Sequence, residues 1–455
     1  MKKHKRSTFS GKLGFVLSAA GASVGLGNIW RFPYLAAKYG GGIFLLVYII
    51  LALTFGYTLI MAETSLGRMT RKSPVGAFES FGNSRFISIG GWINAIIPIL
   101  IVPYYSVIGG WVIKYLIEYF AGHSKTLAGD AYFTTFISNG WSTEICFIIF
   151  TLFTLGIIYA GVRNGIERVS RFMMPILIVL SLIIAVYSVT RPGAIEGVKY
   201  FLVPNFDHFS WMTVVSAMGQ MFYSLSIAMG ILITFGSYMK KDTSIEKSTE
   251  NVEIFDTAIA IMAGLMIIPA VFAFSGGNAE TLKSGPALMF ITIPKVFANM
   301  GFGTAIGIVF FLLVLFAAVT SSIALTESAV STFEDELHWS RKKSTVFMGM
   351  VMLLLGTLSC LGYGPLANFK ILGMQFLDFF DFITNSVMMP IAAIATCLLV
   401  SKVVGVDKIE EEITKDGQAF RRKKIFCFMI KYLCPLFAAI IFISSVANAF
   451  GIITM

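Results

Sequence analysis

Two stretches of the chain place glycine, hydroxyl and amide groups inside otherwise apolar sequence. Residues 21–28 are GASVGLGN, and residues 224–230 are SLSIAMG. Each glycine costs a helix roughly 1 kcal/mol relative to alanine, so both stretches predict helix breaks. The opened backbone offers carbonyl oxygens to a hard cation, and a half-helix N-terminus offers amide groups to a carboxylate. Together the two breaks predict a site for a cation and an anionic group.

A third stretch could also present oxygen atoms to a cation. Thr320, Ser321 and Ser322 stand in a row after Ala317 in an apolar run. A hydroxyl in such a helix equally often bonds back to the carbonyl four residues earlier. Glycines in lipid-embedded helices likewise often serve only close packing, and that explanation is favoured for either break taken alone. Two breaks at corresponding positions favour the site.

Five acidic residues lie in or beside apolar runs: Glu63, Asp256, Glu327, Asp378 and Asp381. Ionisable groups at membrane depth are costly and are functional candidates by default. Glu327 and Glu63 are the candidates for a proton site, whereas Asp378 equally fits a solvated helix N-terminus.

One arginine precedes the first apolar run and another lies within it. Each has a possible acidic partner. Arg31 lies just beyond the first break, and Asp381 is expected at a comparable depth. On the inner side of the membrane, opposite to Arg31, Arg6 is expected to face the acidic residues 334–336. A loose surface pair there would contribute less than ~1 kcal/mol.

The composition explains where these groups lie. The chain has 455 residues, of which 56% are hydrophobic and only 13% are charged. A soluble domain is about 25% charged, so most of this surface must face lipid. We therefore predict an all-α polytopic membrane protein that forms a single transmembrane domain over residues 1–455.

The apolar runs predict about eleven transmembrane helices, each needing about 20 residues. They lie at residues 13–37, 42–67, 88–119, 144–160, 170–190, 212–238, 254–275, 303–332, 346–362, 376–401 and 424–450. The run at 144–160 is short, so ten or twelve spans are also possible. The interrupted spans, the first and sixth, are five spans apart. An inverted five-plus-five repeat, at residues 1–190 and 205–402 with helix 11 at 424–450, would bring the breaks face to face.

Basic residues predict the orientation of the spans. Lys and Arg concentrate before the first span and after the even-numbered ones, at residues 2–6, 68–85, 163–171, 240–247, 341–343 and 402–424. This bias places the N-terminus in the cytoplasm and, with eleven spans, the C-terminus outside. The net charge of +10 follows from the same bias, so nucleic-acid binding is not expected.

Other functions find little support in the sequence. There is no GxxxxGK[ST] loop, so the chain is not expected to use ATP through a site of its own. The five cysteines show no metal-ligand spacing, and the four histidines lie in loops or termini. A membrane enzyme is therefore disfavoured.

Four motifs resemble those of the neurotransmitter:sodium symporter family. They are GFVLSAAGASVGLGNIWRFPY at 14–34, PYYSVIGGW at 103–111, QMFYSLSIAMG at 220–230 and FAAVTSSIAL at 316–325. The resemblance covers essentially the whole chain, and eleven spans are typical of the bacterial amino-acid transporters of this family. It implies sodium-coupled symport of an amino acid by alternating access, with sodium as the coupling ion, no organic cofactor and no enzymatic activity. By analogy it also implies a location in a bacterial inner membrane.

The resemblance also implies particular site residues. The first sodium site would comprise Ser23, Asn28, Ser224 and Asp256, and the second Gly21, Val24, Ala317, Thr320 and Ser321. The amino acid would contact Ala22, Ser23, Leu26, Gly27, Ile101, Tyr105, Tyr223, Ser224, Ser226, Met229, Ser321 and Leu325. Arg31 with Asp381 would form the outer gate, and Arg6 with Asp335 the inner gate. Phe9 replaces the usual inner tryptophan, which suggests a weaker inner latch.

Four positions refine the expected substrate and ion dependence. Gly25 stands where monoamine carriers of the family have an aspartate, so the substrate must bring its own carboxylate, as an amino acid does. Asp256 stands where chloride-dependent relatives have a neutral asparagine, so we expect chloride independence. Met229 and Tyr223 favour a bulky aliphatic or aromatic side chain. A proton-coupled carrier and a non-transporting receptor or channel of the same fold are the alternatives.

Overall fold

The structure, a computed structural model, describes residues 7–276 and 285–453. Helices build this part of the chain, and the described residues contain no β-strand. The long helices are α1 (Lys12–Ser23), α2 (Gly27–Lys38), α3 (Gly42–Thr70), α4 (Arg85–Phe120), α5 (Gly140–Tyr159), α6 (Val162–Val189), α7 (Trp211–Ser224), α8 (Ile231–Tyr238), α9 (Ile245–Ser275), α10 (Gly303–Glu336), α11 (Arg341–Leu361), α12 (Phe376–Val404) and α13 (Lys423–Ala449). Shorter helices in the connections include Pro74–Glu79, Ala194–Leu202, Leu288–Ala298 and Val406–Ile413.

Within these described ranges, nine helices are long and apolar enough to cross a membrane alone: α3, α4, α5, α6, α9, α10, α11, α12 and α13. A tenth span is formed by α1 and α2 together, which are bent by 53° at their junction. Helices α7 and α8 occupy the expected sixth span, but they have only 14 and 8 residues. The all-α membrane architecture is therefore confirmed, while the count of eleven spans and the inverted repeat stay predictions.

The first break lies at the predicted glycine-rich stretch. Helix α1 ends at Ser23, and Val24 has an extended backbone with φ −74° and ψ 95°. The chain resumes as a wide π-helical turn over Gly27–Arg31 before α2 continues. Three glycines in seven residues lower the free-energy cost of opening the helix, because glycine stabilises a helix less than most other residues do.

The second break separates α7 from α8 and contains left-handed backbone. Ser226 and Ala228 have φ values of 53° and 58°, and Gly230 has 68°. Such a conformation is unfavourable for residues with a side chain and persists only where the surroundings hold it. The Ala228 amide donates to Glu63 Oε1 at 2.7 Å, and the Ser226 hydroxyl donates to the Ala22 carbonyl at 3.0 Å. The two breaks therefore lie against each other and are held in place by polar contacts.

Helices α3 and α8 pack closely against each other beside the second break. A Cβ on Gly67 of α3 would lie 1.9 Å from the Ile233 carbonyl oxygen, and one on Gly236 of α8 would lie 2.5 Å from that of Thr64. The two helices therefore touch backbone to backbone, which only glycine permits. Helix α10 runs beside α1 and α4 and brings its hydroxyl residues to the first break.

Candidate ion and solute site

A small cavity lies between the two helix breaks. It is lined by Ala22, Ser23, Gly25, Leu26, Gly27, Asn28, Ile101, Tyr105, Tyr223, Ser224, Ser226, Met229, Ser321 and Leu325. The space open to the centre of a water-sized sphere is about 30 Å³, enough for roughly two water molecules. All the residues expected to contact a substrate therefore surround one enclosed space. That this space binds a solute stays a prediction.

One end of the cavity suits a carboxylate. It lies at the N-terminus of α2, where the first backbone amides of a helix have no intrahelical acceptor. The Leu26 amide donates to the Tyr105 hydroxyl over a long 3.4 Å. A Cβ on Gly25 would lie 2.7 Å from Ser321 Oγ and 3.2 Å from the Tyr105 hydroxyl. The bare backbone at Gly25 thus keeps this end of the cavity open.

Beside the cavity, a buried polar cluster surrounds Asp256 of α9. The Asn28 amide donates to Asp256 Oδ1 at 2.8 Å and to Ser224 Oγ at 2.8 Å. The Ser224 hydroxyl lies 2.9 and 3.0 Å from the two carboxylate oxygens. Tyr48 of α3 donates to Asp256 Oδ2 at 3.1 Å. The side chains of all four residues are almost completely inaccessible to solvent.

The charge of the Asp256 cluster is not balanced by a basic side chain. In the described part of the chain no Lys, Arg or His pairs with Asp256, and its hydrogen-bond partners are neutral. A buried ionised carboxylate without a cation is strongly unfavourable. The oxygen atoms of Ser224 and Asp256 are also of the type that a hard cation prefers, whereas the Asn28 side-chain oxygen accepts the Gly25 amide. The geometry therefore fits a monovalent cation.

The expected second sodium ligands also converge. Ser321 Oγ lies 3.4, 3.2 and 3.3 Å from the carbonyl oxygens of Gly21, Ala22 and Val24. The Thr320 hydroxyl lies 3.2 Å from the Ala317 carbonyl oxygen. Two ligands at right angles and about 2.4 Å from a hard cation would be about 3.4 Å apart. Ser321 thus joins α10 to the opened carbonyls of α1, while Thr320 also donates to the Phe316 carbonyl oxygen of its own helix at 3.0 Å, so the second sodium site stays a prediction.

Ser23 departs from the expected first sodium site. Its hydroxyl donates to the carbonyl oxygens of Ala19 at 3.1 Å and Leu225 at 3.4 Å. Ser23 lines the cavity, but its hydroxyl does not join the Asp256 cluster. A hydroxyl on a helix commonly bonds to the carbonyl four residues earlier, and that tendency prevails here.

A larger vestibule lies next to the cavity, on the side of Arg31. It measures about 360 Å³ by the same definition and is lined by Arg31, Tyr104, Asp381 and Asn385 among others. Tyr223 borders both spaces, and the Arg31 guanidinium lies 5.4 Å from the centre of its ring. Tyr223 therefore separates the cavity from the vestibule.

The expected outer gate pair is not in direct contact. Arg31 and Asp381 both line the vestibule, but no ion pair joins these two described residues. Asp381 instead accepts hydrogen bonds from Tyr104 at 3.2 Å and Asn385 at 2.6 Å. The vestibule thus stays open between the two charges.

The opposite, inner side of the cavity is closed by the segment before α1. The Ser10 amide donates to Glu167 Oε2 at 2.8 Å, and the Ser10 hydroxyl contacts the same carboxylate. Arg171 donates to Ser10 Oγ at 2.5 Å, and Lys240 donates to the Ser10 carbonyl oxygen at 2.6 Å. Phe9 is buried, and its amide donates to the Tyr238 carbonyl at 3.1 Å. We call this group the Ser10 latch.

The expected inner gate can be followed only in part. Arg6 lies outside the described residues. Asp335 accepts a hydrogen bond from the Ser73 amide at 2.6 Å. The Arg6–Asp335 pair therefore stays a prediction, and the sequence analysis missed the Ser10 latch.

Glu327, one of the two proton-site candidates, has a charged partner. Arg341 contacts both of its carboxylate oxygens, at 2.5 and 3.1 Å, and Tyr238 donates to it at 2.7 Å. The Arg341 side chain also donates to the Ile158 carbonyl. A bidentate arginine–carboxylate pair is a strong structural contact, so Glu327 joins α10 to the start of α11.

Two residues at the site escaped the sequence analysis. Tyr48 stands in the apolar first half of α3, and its polar tip was the available signal. Glu167 lies in the first turns of α6, and nothing in its local sequence indicates a contact with Ser10, which is 157 positions away.

Comparisons with known proteins agree with this geometry. The sequence model of the Sodium:neurotransmitter symporter family matches residues 6–153 and 137–452. YhdH of Bacillus subtilis, named an uncharacterized sodium-dependent transporter, is 33% identical over the full length of both chains. A further uncharacterized sodium-dependent transporter, from Haemophilus influenzae, is 31% identical, covering 97% of this chain and 98% of that one. The crystal structure of MhsT in complex with L-phenylalanine has a TM-score of 0.86 and 34% identity, covering 97% of this chain and 100% of that one.

Proposed function

Because the chain belongs to the sodium:neurotransmitter symporter family, we propose that it is a sodium-coupled importer of amino acids with bulky hydrophobic or aromatic side chains. Family and fold make it a sodium-dependent transporter of the membrane rather than an enzyme. The amino-acid substrate, the two sodium sites and chloride independence belong to the proposal.

The observation that carries the proposal is the buried Asp256 carboxylate, whose hydrogen-bond partners are all neutral. Asn28 and Ser224 connect this carboxylate to the wall of the central cavity. A sodium ion at this cluster would supply the missing positive charge and offer one face to a substrate carboxylate. Sodium and amino acid would then stabilise each other in the site, which is the basis of coupled binding.

The cavity supports an α-amino acid over a simple amine. Its carboxylate would meet the Leu26 and Gly27 amides, the Tyr105 hydroxyl and the first sodium ion. Its ammonium group would find carbonyl oxygens at the two breaks. Because Gly25 contributes no acid, an amine without a carboxylate would leave the sodium ion with one ligand fewer.

The side-chain end of the cavity supports a hydrophobic substrate. Ile101, Met229 and Leu325 line it together with the ring of Tyr223. Met adapts its shape to varied apolar groups, which suits several substrates of similar size. MhsT, which shares this fold at 34% identity, has been crystallised with L-phenylalanine.

The fixed charge of Asp256 is also the reason to propose chloride independence. Two sodium ions and a zwitterionic substrate bring two positive charges into a buried site. A carboxylate beside the first ion would offset one of them without a mobile anion.

Transport would proceed by alternating access. The open vestibule beside Arg31 and the closed Ser10 latch together suit a state that receives solute from outside. In the proposed topology the N-terminus lies in the cytoplasm, the C-terminus lies outside, and the protein sits in the cytoplasmic membrane. Amino acid, sodium and membrane lipid are its partners, and nucleic acid and ATP are not.

A proton-coupled carrier is the main alternative, and a non-transporting receptor or channel the second. Glu327 is paired with Arg341 and accepts the Tyr238 hydroxyl, so its carboxylate already has a charged partner. Glu63 accepts the Ala228 amide and does not line the central cavity. Glu327→Gln would leave sodium dependence unchanged if sodium is the driving ion.

The test is uptake of labelled amino acids into proteoliposomes under an inward sodium gradient or an equal potassium gradient, each with and without chloride. We expect sodium-dependent accumulation of phenylalanine or leucine that is indifferent to chloride. Phenethylamine, which is phenylalanine without its carboxylate, is the matched solute and should not accumulate. Uptake that follows a proton gradient and ignores sodium would overturn the proposal.

A further inference from the structure

An apolar groove lies away from the central cavity, between the N-terminal end of α4 and the C-terminal end of α12. Its buried floor includes Phe78, Ile87 and Leu399, and its mouth includes Phe86 and Val403, which are 60% and 44% exposed. The space measures about 260 Å³ by the definition used for the central cavity. It is therefore much larger than the central cavity and lined almost wholly by hydrocarbon.

The groove lies at the membrane surface. Phe86 and Ile87 are the second and third residues of α4, and Val403 is the next-to-last residue of α12. Its inner end is closed where α4 meets its neighbours, since a Cβ on Gly90 would lie 2.9 Å from Phe78 and 3.0 Å from Ala395. The groove is thus closed toward the middle of the two spans and opens at their ends.

Its mouth carries positive charge without a protein counter-charge. Lys402 lines the groove, and no acidic residue does. Neither Lys402 nor the exposed Arg85 that begins α4 forms an ion pair or hydrogen bond within residues 7–276 and 285–453. Glu79, the acid at the end of the neighbouring short helix, accepts a bond from Ser88 at 2.8 Å instead. A cationic tip at the end of an apolar pocket matches an anionic amphiphile.

We propose that this groove binds one anionic phospholipid. An acyl chain would lie along Ile87 and Leu399, and the phosphate would meet Lys402 and Arg85. Long basic side chains commonly reach the headgroup layer in this way, and basic pockets between membrane helices bind acidic headgroups. The bound lipid would join α4 to α12, helices that lie on opposite sides of the groove. The proposal does not depend on which solute is transported.

The charge complementarity distinguishes this site from ordinary lipid contact. Exposed apolar residues elsewhere, such as Leu354 of α11, meet acyl chains without a pocket or a basic partner. One basic residue near an anionic membrane surface strengthens binding about fivefold. A zwitterionic lipid would fill the apolar groove but would gain little from Lys402.

Native mass spectrometry of the full-length, delipidated protein tests the site. Phosphatidylglycerol and phosphatidylcholine with identical acyl chains are titrated separately, and the affinity for the first bound lipid is measured. We expect a preference for phosphatidylglycerol that Lys402→Gln lowers about fivefold. Val403→Trp, which fills the mouth, should weaken both lipids. Lys247→Gln removes an exposed lysine remote from the groove and should change neither.

Several results would overturn the assignment. Equal binding of the two lipids by the parent protein would remove the role of charge. An equal loss of affinity with Lys247→Gln would show that the lipid responds only to general surface charge. Displacement of the bound lipid by inorganic phosphate would show that binding needs no acyl chain. Arg85→Gln gives an independent variant if Lys402→Gln yields an aggregated protein, and an unchanged affinity in Arg85→Gln would then count against the site.

Discussion

Replacing Glu167 with glutamine should loosen the inner closure of the transporter without altering the central cavity. Glu167 holds Ser10 through its backbone amide at 2.8 Å and through its hydroxyl. Ser10 precedes α1, whose movement away from α6 would open the cavity to the inside. Glutamine keeps the size and one acceptor oxygen of glutamate but removes its charge.

The size of the effect follows from these contacts. A hydrogen bond to a charged group contributes about 1.5–3 kcal/mol, and a neutral one about 0.5–1.5 kcal/mol. Loss of the charge therefore costs the closed state about 1–1.5 kcal/mol. The Arg171–Glu167 ion pair adds little, because Arg171 is 45% exposed. The population open to the inside should rise about 5- to 13-fold.

A buried cysteine introduced on α1 can report this opening. Ser18 is 2% exposed, and its hydroxyl has no hydrogen-bond partner among the described residues, so Ser18→Cys should be well tolerated. Of the five native cysteines only Cys427 is not buried, and Cys427→Ser gives a quiet background. The rate of modification by a thiol reagent then follows the open population, as in other local opening equilibria. We expect Glu167→Gln to raise this rate about 5- to 13-fold.

The control is the same glutamate-to-glutamine substitution at a position remote from the Ser10 latch. Glu410 pairs with Lys423 at the surface and does not touch the segment before α1. Glu410→Gln should leave the modification rate unchanged. Faster modification of the introduced thiol when sodium is withdrawn would show that the assay detects opening. If Glu167→Gln then left the modification rate unchanged, the role of the Ser10 latch would be refuted.

Three further predictions concern the proposed cation site, the cavity and the C-terminal end of α3. Asp256→Asn should make sodium-driven uptake depend on chloride, because the fixed negative charge is lost; uptake in chloride and in gluconate measures this. Gly25→Ala should weaken substrate binding about tenfold or more while leaving thermal stability unchanged, since the new Cβ would lie 2.7 Å from Ser321 Oγ. Equilibrium binding of labelled amino acid measures that loss. Glu412→Ala should destabilise the protein by about 3 kcal/mol, because Arg68 would remain buried without the carboxylate now 2.6 Å away; thermal unfolding in detergent measures it.

The helix breaks were predictable because their cause is local. Glycine content lowers helix propensity wherever the chain goes, so residues 21–28 and 224–230 indicate their breaks without any knowledge of the fold. The cavity residues were implied by the resemblance of four motifs to those of the neurotransmitter:sodium symporter family. The structure brings all of them around one space.

Side-chain partners were harder to predict, because they depend on tertiary distances. Arg31 and Asp381 were expected to pair from similar depth, yet Asp381 bonds to Tyr104 and Asn385. Depth along a helix does not fix which way a side chain points around it. Ser23 shows the same limit, since local bonding to the Ala19 carbonyl outcompetes the distant cluster.

Contacts between remote segments left no sign in the local sequence. Ser10 is one of many serines in the chain, and Glu167 lies among several charged residues in the first turns of α6. Glu327 was a proton candidate because a buried acid is costly, and only the fold reveals that Arg341 neutralises it. Pairing of charges is thus the part of the site that required the structure.

The central claim, that sodium and an amino acid bind together beside Asp256, is tested most directly by equilibrium binding to the purified protein. Labelled phenylalanine or leucine is titrated at sodium concentrations balanced with potassium. The account predicts that sodium tightens binding, with affinity rising as about the second power of sodium concentration, and that Asp256→Ala lowers this dependence to about the first power. Binding that is equally tight in potassium, or a second-power dependence that survives Asp256→Ala, would contradict it.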